Sequence, residues 1–187
     1  MLHTDRLVLR PHRMSDLEPW SRIENDPSIR RFLHWPVRNE REVRAHLKDR
    51  TRKTVLWQAD DFLALAVELD GTVVGDVSMH LRTVVPESRS VEMGWLQLPE
   101  YRGKGYATEA AEMLLAFAFH TIRARWVTAI IDVDNESSMA LARRLGFDRI
   151  AQSGSKVTFL TTEARASVDP NRMRDLPAPV DSPSEPK

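Results

Sequence analysis

The run Arg102-Gly103-Lys104-Gly105-Tyr106-Ala107 has the clearest capacity for chemistry in this chain. Two glycines, one residue apart, allow positive φ and close approach of another molecule to the backbone. Successive amide N–H groups can therefore converge in one concave nest. The residues that follow, Ala107, Ala110, Ala111, Leu114, Leu115 and Ala118, recur at the spacing of one helical face. The nest thus lies where a helix begins and its dipole presents partial positive charge, which suits a phosphate or pyrophosphate. Taken alone, two glycines at a helix start can also be a plain tight turn. The chain has no GxxxxGK followed by Ser or Thr, and no GxGxxG closing the first strand of a βαβ unit with an acid downstream. These two nucleotide loops are excluded.

The elements that must position this loop are legible in chain order. Arg6–Arg10 reads as a first strand stopped by Pro11, and Ser15-Asp16-Leu17-Glu18 as a capping box opening a helix that ends near Asp26-Pro27. A second helix begins near Asn39, with Glu42 completing another capping box. The intervening IRRFLHWPV reads as a loop rich in aromatic bulk, either a local minicore or a lid over a ligand. Phe62–Glu68 and Thr72–Leu81 flank Asp70-Gly71 as a hairpin, with Gly75 marking a bulge or a close approach. Ser90–Leu98 is the strand before the loop, and Trp126–Val133 is a continuous apolar strand suited to the inside of a sheet. A short helix follows Asn135, with Gly146 just past its end, and Phe147–Ala151 and Lys156–Thr161 close the pattern. Beyond about Arg165 the chain turns to Pro, Ser and charge, so 166–187 is expected to be a disordered tail on a domain of residues 1–165.

Composition narrows the class. At 187 residues and 42% hydrophobic, the chain suits one well-buried domain. Lys plus Arg equal Asp plus Glu at 27 each, which argues for no nucleic-acid or membrane partner through a global field. There is no cysteine, so disulfides, thiolate nucleophiles and Cys-based metal sites are ruled out, and no metal is expected. The opening MLHTDRLVLRP has no apolar leader and no later run approaches a membrane span. A cytoplasmic protein, monomeric or homodimeric, is the expectation.

The pattern R-x-x-G-x-A, carried by Arg102, Gly105 and Ala107 after a strand ending in LQLPEYR, resembles the signature of the GNAT acyl-CoA N-acyltransferases. Asn135-x-x-Ser138-x-x-Leu141-x-x-x-Leu145-Gly146-Phe147 is similar to a segment of the Rim-type ribosomal-protein acetyltransferase branch of that family. The resemblance covers about Leu2–Thr162. It implies an α/β (α+β) fold, with a mixed sheet of six to seven strands splayed at the cofactor site and about four flanking helices. It also implies acetyl-CoA as co-substrate, bound by the backbone of Leu96, Gln97 and Leu98 along pantetheine and by Arg102, Gly103, Lys104, Gly105, Tyr106, Ala107 and Thr108 at pyrophosphate. Asn135 and Ser138 would face the pantetheine arm. Asn135 is equally an N-cap, and Ser138 a helix-surface hydroxyl.

For an amine attacking the thioester directly, Glu92 is the candidate base. Its apolar strand neighbours in VEMGWLQL would raise its pKa towards working pH. Its structural alternative is a sheet-edge carboxylate paired with an arginine. The tyrosine general acid of many family members, seven residues after the asparagine, is replaced by Ala142, leaving Ser138, water or no protein group to assist the departing thiolate. Phe32, His34 and Trp35 are the tentative acceptor wall, while His34, His80 and His120 have no partner acid at motif spacing. The acceptor is expected to be a protein N-terminal amine. A small amine such as an aminoglycoside is the alternative, drawing on Glu24, Asp26, Asp60 and Asp61. A domain that binds acyl-CoA without turnover is the rival from another class.

Overall fold

The computed structural model describes residues 1–33, 35–168 and 176, so His34 and most of the tail lie outside the described residues. Eight strands form one sheet in the order β1-β2-β3-β4-β5-β6-β8-β7. They are β1 Leu2–His3, β2 Val8–Pro11, β3 Phe62–Leu69, β4 Thr72–Thr83, β5 Ser90–Gln97, β6 Trp126–Asp132, β7 Asp148–Ser153 and β8 Lys156–Thr161. Every neighbouring pair is antiparallel except β5 and β6. The helices are α1 Leu17–Asn25, α2 Pro27–Leu33, α3 Glu40–Arg50, α4 Tyr106–His120 and α5 Glu136–Arg144.

The strand and helix counts exceed the six to seven and four expected, for identifiable reasons. Two-residue β1 is too short to carry a sequence pattern. Residues 27–33, expected to be loop, form α2 because Pro27 opens a helix instead of ending one. Asp26 Oδ1 caps it by accepting from the N–H groups of Ser28 and Ile29 at 2.8 and 3.2 Å. The capping box expected at Ser15 is also displaced. Asp16 directs its carboxylate to the Arg13 N–H at 2.7 Å and to Arg10, and α1 starts at Leu17 without a side-chain cap. The box at α3 is as expected, with Asn39 Oδ1 accepting from Glu42 N–H and Glu42 Oε2 from Asn39 N–H.

Two apolar clusters sandwich the sheet. The larger joins the β-sheet to α4 and α5, with Leu114, Leu115, Val127, Ala142, Leu145 and Phe159 fully excluded from water. The smaller gathers Trp20, Ile23, Ile29, Val43, Leu47 and Leu98, with Trp35 and Leu96 packed on it. The loop aromatics therefore build a minicore: Trp35 sits against Trp20 at 6.3 Å and His46 at 5.5 Å between ring centroids.

A buried polar network also fastens α1–α3 to the sheet. Arg10 forks onto Asp16 at 2.8 and 2.9 Å and reaches Glu68, while Asp76 on β4 accepts from Arg50 and bonds His12 Nε2 at 2.8 Å. Burial alone would raise the Asp76 carboxyl, but Arg50 and His12 overrule it and hold the group below its ordinary range.

The chain past Arg165 begins by packing on the core. Ser167 N–H donates to the Leu145 carbonyl at 3.1 Å, and Ala166, Val168 and Leu176 lie against the larger cluster. The expected boundary at Arg165 is thus overrun by at least Val168.

Candidate active site

β5 and β6 run parallel for three rungs only, Ser90 with Trp126, Val91 with Val127 and Glu92 with Thr128. Beyond them β5 stays on β4 and β6 stays on β8, so the two strands diverge into a V with Glu92 at its vertex. The wall formed by β5 is held close to β4 by the absence of a side chain at Gly75. A Cβ there would lie 2.4 Å from the Leu96 carbonyl oxygen. The bulge anticipated near Gly75 lies one step away, where the β3–β4 register shifts between Val67 and Glu68.

Leu98 N–H donates to the Val74 carbonyl at 2.9 Å, which makes Gly75 and Gln97 a non-hydrogen-bonded pair. Alternation then turns the peptide groups of Trp95 and Gln97 into the V and those of Leu96 and Leu98 towards β4. This corrects the expectation that all of Leu96–Leu98 could pair with a ligand. Leu98 is unsuitable on two counts, since its carbonyl also accepts from Tyr101 N–H and its side chain is buried in the smaller cluster.

The loop at the V's mouth has the conformation that its glycines allow. Gly103 and Gly105 take φ of 76° and 83°, and Gly105 is the left-handed N-cap of α4. Space is open where a Cβ of Gly103 would stand. Tyr101, Arg102, Lys104 and Gln97 brace the outer edge. Gln97 Nε2 donates to the Tyr101 carbonyl at 3.0 Å, Arg102 Nη2 to the Gln97 carbonyl at 3.4 Å, and Lys104 lies over the Tyr101 ring. Thr108 accepts from Arg144 at 3.1 Å, tying α4 to α5. A small open recess lies between the start of α4 and the sheet, lined by Gly75, Trp95, Leu96, Gln97, Tyr106 and Ala107 among others. A helix start capped by a left-handed glycine suits an anionic group such as a phosphate.

On the opposite wall, Asn135 Oδ1 caps α5 by accepting from Ser138 N–H at 3.1 Å and from Ser137 Oγ at 3.0 Å. Ser138 Oγ in turn accepts from the Trp95 indole N–H at 3.3 Å, a hydrogen bond that spans the V. Because the indole uses a lone pair, the hydroxyl hydrogen is left to donate elsewhere. Ala142 is fully buried in the larger cluster, so a phenol at this position would overpack it.

Even-numbered residues of β5 face α1–α3. Glu92 lies opposite His80, and Gly94 opposite Ser78. The apolar surroundings expected for Glu92 are not found. Arg82 donates to its Oε2 from Nη2 at 2.8 Å and from Nε at 3.2 Å, and Asp60 lies 3.5 Å from His80 and 3.7 Å from Arg82. The carboxylates expected to receive a cationic acceptor are likewise engaged. Glu24 is buried between Arg38 and His46, Asp26 caps α2, and Asp61 accepts from the N–H groups of Trp57 and Gln58. For Glu24, burial would raise the carboxyl, but His46 and Arg38 overrule it and hold it below its usual value. Across the V, Lys156 reaches both Asp132 at the tip of β6 and the Phe32 carbonyl at 3.3 Å each, which brings the end of α2 over that wall. The Phe32 backbone thus lies over that wall, Trp35 packs on the smaller cluster, and His34 lies outside the described residues.

Residues 6–148 match the family model of the acetyltransferase (GNAT) domain. The chain belongs to the GNAT acetyltransferase family. This acetyl-CoA-dependent N-acetyltransferase is 30% identical over 139 residues to a spermidine N(1)-acetyltransferase of Escherichia coli strain K12, covering 74% of this chain and 71% of that protein. It is 35% identical over 78 residues to the putative ribosomal N-acetyltransferase YdaF of Bacillus subtilis, 42% of either chain. Its fold is that of RimL, a ribosomal-protein α-N-acetyltransferase solved with coenzyme A. The TM-score is 0.69 at 18% identity, over 85% of this chain and 95% of that one. Among the described residues, no helix is long and apolar enough to cross a membrane.

Two features of this GNAT site gave no sequence signal. Trp95 reaches Ser138 across 43 positions. Arg6, 103 positions before Glu109, donates to that carboxylate from its backbone N–H at 2.9 Å and from Nε at 2.7 Å, and Thr4 Oγ1 donates at 2.6 Å. Burial alone would raise the Glu109 carboxyl, but these donors overrule it and hold the group below its ordinary value.

Proposed function

We propose that this enzyme acetylates the α-amine at the N-terminus of a peptide or protein chain. The observation that carries the reading is the state of the groove's carboxylates. Glu24, Asp26 and Asp61 are committed to partners within the chain, and Asp60 sits against His80 and Arg82. A polycation would therefore meet no ready set of counter-charges among these four carboxylates. An α-amine with a pKa of about 8 is partly neutral near pH 7 and needs less help in losing its proton than a lysine-like amine of about 10.4.

Acetyl-CoA supplies the thioester to be aminolysed. Gly103–Thr108 hold its pyrophosphate at the helix start, and the Trp95 and Gln97 peptide groups line its arm. The acceptor enters over the Gly94–Ser78 rung, between Phe32, Trp35 and the β6 tip. The amine nitrogen bonds to the acyl carbon and the carbon–sulfur bond breaks. Glu92 takes the amine proton directly or through water, and the Ser138 hydroxyl donates a hydrogen bond to the departing sulfur. The likeness to a spermidine acetyltransferase favours a second reading, in which a small polyamine is the acceptor.

Release of free thiol from acetyl-CoA, measured across N-terminal peptides, spermidine and an aminoglycoside, tests both. Peptides should turn over with the highest kcat/KM. Spermidine winning by tenfold or more would replace this reading with the second, and binding of acetyl-CoA without thiol release from any amine would point to a non-catalytic module.

A further inference from the structure

The glycines of the phosphate loop create a difficulty as well as an opportunity. A backbone free to take positive φ at both Gly103 and Gly105 is also free to flip the peptide between Lys104 and Gly105. A flipped peptide would present a carbonyl oxygen to an anion where an N–H is required. Something must remove that freedom before the ligand arrives.

Arg6 is placed to do so. Its guanidinium is aimed by the buried carboxylate of Glu109, which takes Nε and Nη2 at 2.7 Å each. The plane lies over the Tyr106 ring at 4.6 Å. The remaining arm, Nη1, donates to the Lys104 carbonyl at 3.0 Å, and Nη2 comes within 3.3 Å of where a Cβ of Gly105 would be. In a planar trans peptide the C=O and the following N–H point in opposite directions. Holding the Lys104 oxygen towards Arg6 therefore turns the Gly105 N–H to the other side, away from the guanidinium.

We propose that Arg6 is a positioning residue for the pyrophosphate loop, fixing the Lys104–Gly105 peptide so that the amide nest is formed in the free enzyme. Its charge is matched by Glu109, so it acts through the loop and not as a ligand of phosphate. The inference rests on the assignment of residues 103–108 to pyrophosphate.

The test titrates Arg6→Lys and Arg6→Ala calorimetrically with coenzyme A, with dephospho-coenzyme A, which lacks the 3′-phosphate but keeps the pyrophosphate, and with S-acetylpantetheine, which lacks both. Lysine keeps a cation beside Glu109 but has one nitrogen, which cannot serve Glu109 and the Lys104 carbonyl together. Arg6→Lys should melt near the wild type, so it carries the test if Arg6→Ala folds poorly. Both nucleotide ligands should weaken by the same factor, about threefold to tenfold, the worth of one hydrogen bond. S-acetylpantetheine should bind as before, and kcat at saturating acetyl-CoA should be unchanged while KM rises. Unchanged affinities overturn the proposal. A loss confined to coenzyme A overturns it by making Arg6 a 3′-phosphate ligand, and an equal loss for S-acetylpantetheine overturns it by showing a general disturbance. A wild type that binds S-acetylpantetheine and neither nucleotide ligand would instead sink the pyrophosphate assignment itself, and this inference with it.

Discussion

Substituting Gly75 tests whether the β5 wall of the V is set by its approach to β4. An alanine Cβ would lie 2.4 Å from the Leu96 carbonyl oxygen, where real contacts stay beyond 3.0 Å. The obstructing atom is backbone, so no rotamer change relieves it, and the strands must separate by about 0.6 Å in a close-packed sheet. Overpacking of this kind destabilises by roughly 1–3 kcal/mol. For a domain of this size that corresponds to a fall in Tm of about 2–12 °C. The displacement acts on the segment whose Trp95 and Gln97 peptide groups face the V, and loss of one hydrogen bond there is worth roughly 0.5–1.5 kcal/mol, about threefold to tenfold. Gly75→Ala should therefore weaken acetyl-CoA binding by about threefold to tenfold in calorimetry. Gly71→Ala is the control. This residue has φ of 81° in the Asp70-Gly71 turn and nothing within 4 Å of the added carbon. It should lower Tm through about 1–2 kcal/mol of left-handed strain while leaving affinity intact. If Gly75→Ala binds acetyl-CoA like the wild type after losing comparable stability, the geometry of the β5 wall does not govern the cofactor site.

Four further outcomes are expected. Glu92→Gln should lower kcat by ~10²–10⁴ with acetyl-CoA affinity kept, and the deficit should shrink as pH rises and free amine accumulates; near-native kcat at neutral pH would leave Glu92 as the partner of Arg82 alone. Ser138→Ala should lower kcat by about 10- to 100-fold and leave affinity unchanged, and Ala142→Tyr should destabilise the fold and give no rescue, because position 142 is fully buried. Asp16, Glu24, Asp76 and Glu109 are all held below their ordinary values, so their stabilisation is complete above an unfolded-state pKa of about 4 and is lost as pH falls through the lower folded-state values; a Tm unchanged between pH 5 and pH 3 would contradict this. Ending the chain at Arg165 removes Ala166 and Val168 from the core, together with the Ser167–Leu145 hydrogen bond, and should lower Tm by several degrees, on the order of 1–2 kcal/mol; an unchanged melt would show that these contacts contribute nothing.

What was legible in the sequence is what lies within one element. The phosphate loop was readable because its glycines and the apolar period of α4 are contiguous, and α3 because Asn39 and Glu42 satisfy each other locally. Helix α2 was missed because Pro27 both ends one helix and opens the next. Of the two surroundings considered for Glu92, apolar neighbours and an arginine partner, the second is found, and its identity was hidden for a different reason. The neighbours of Glu92 in sequence point to the other face of β5 or lie along its own row. The residues that meet its carboxylate come from β4, with His80 directly opposite and Arg82 on the diagonal. No inspection of VEMGWLQL alone could reveal them. The network of Arg10, His12, Asp16, Arg50 and Asp76 was invisible on the same ground, since a charged residue reads as surface until its partners are known.

The alternation of β5 also explains how the site divides its work. Glu92 and Gly94 face α1–α3, whereas Trp95, bonded to Ser138, faces α5. The gap between β5 and β6 opens immediately after the rung that carries Glu92. A thioester threaded through that gap from the α4 side would have its carbonyl carbon open to the groove on one face and its sulfur near Ser138 on the other. The proton leaving the amine and the hydrogen bond given to sulfur then belong to separate groups on separate faces. In the proposed reaction neither Glu92 nor Ser138 has to change role, so an alanine at position 142 leaves the base undisturbed. That separation makes the two kinetic predictions independent. Glu92→Gln should respond to pH and to the basicity of the acceptor, Ser138→Ala to the leaving group alone, and the double variant should lose close to the product of the two factors. A double variant no slower than Glu92→Gln would show instead that the two residues act in a single step.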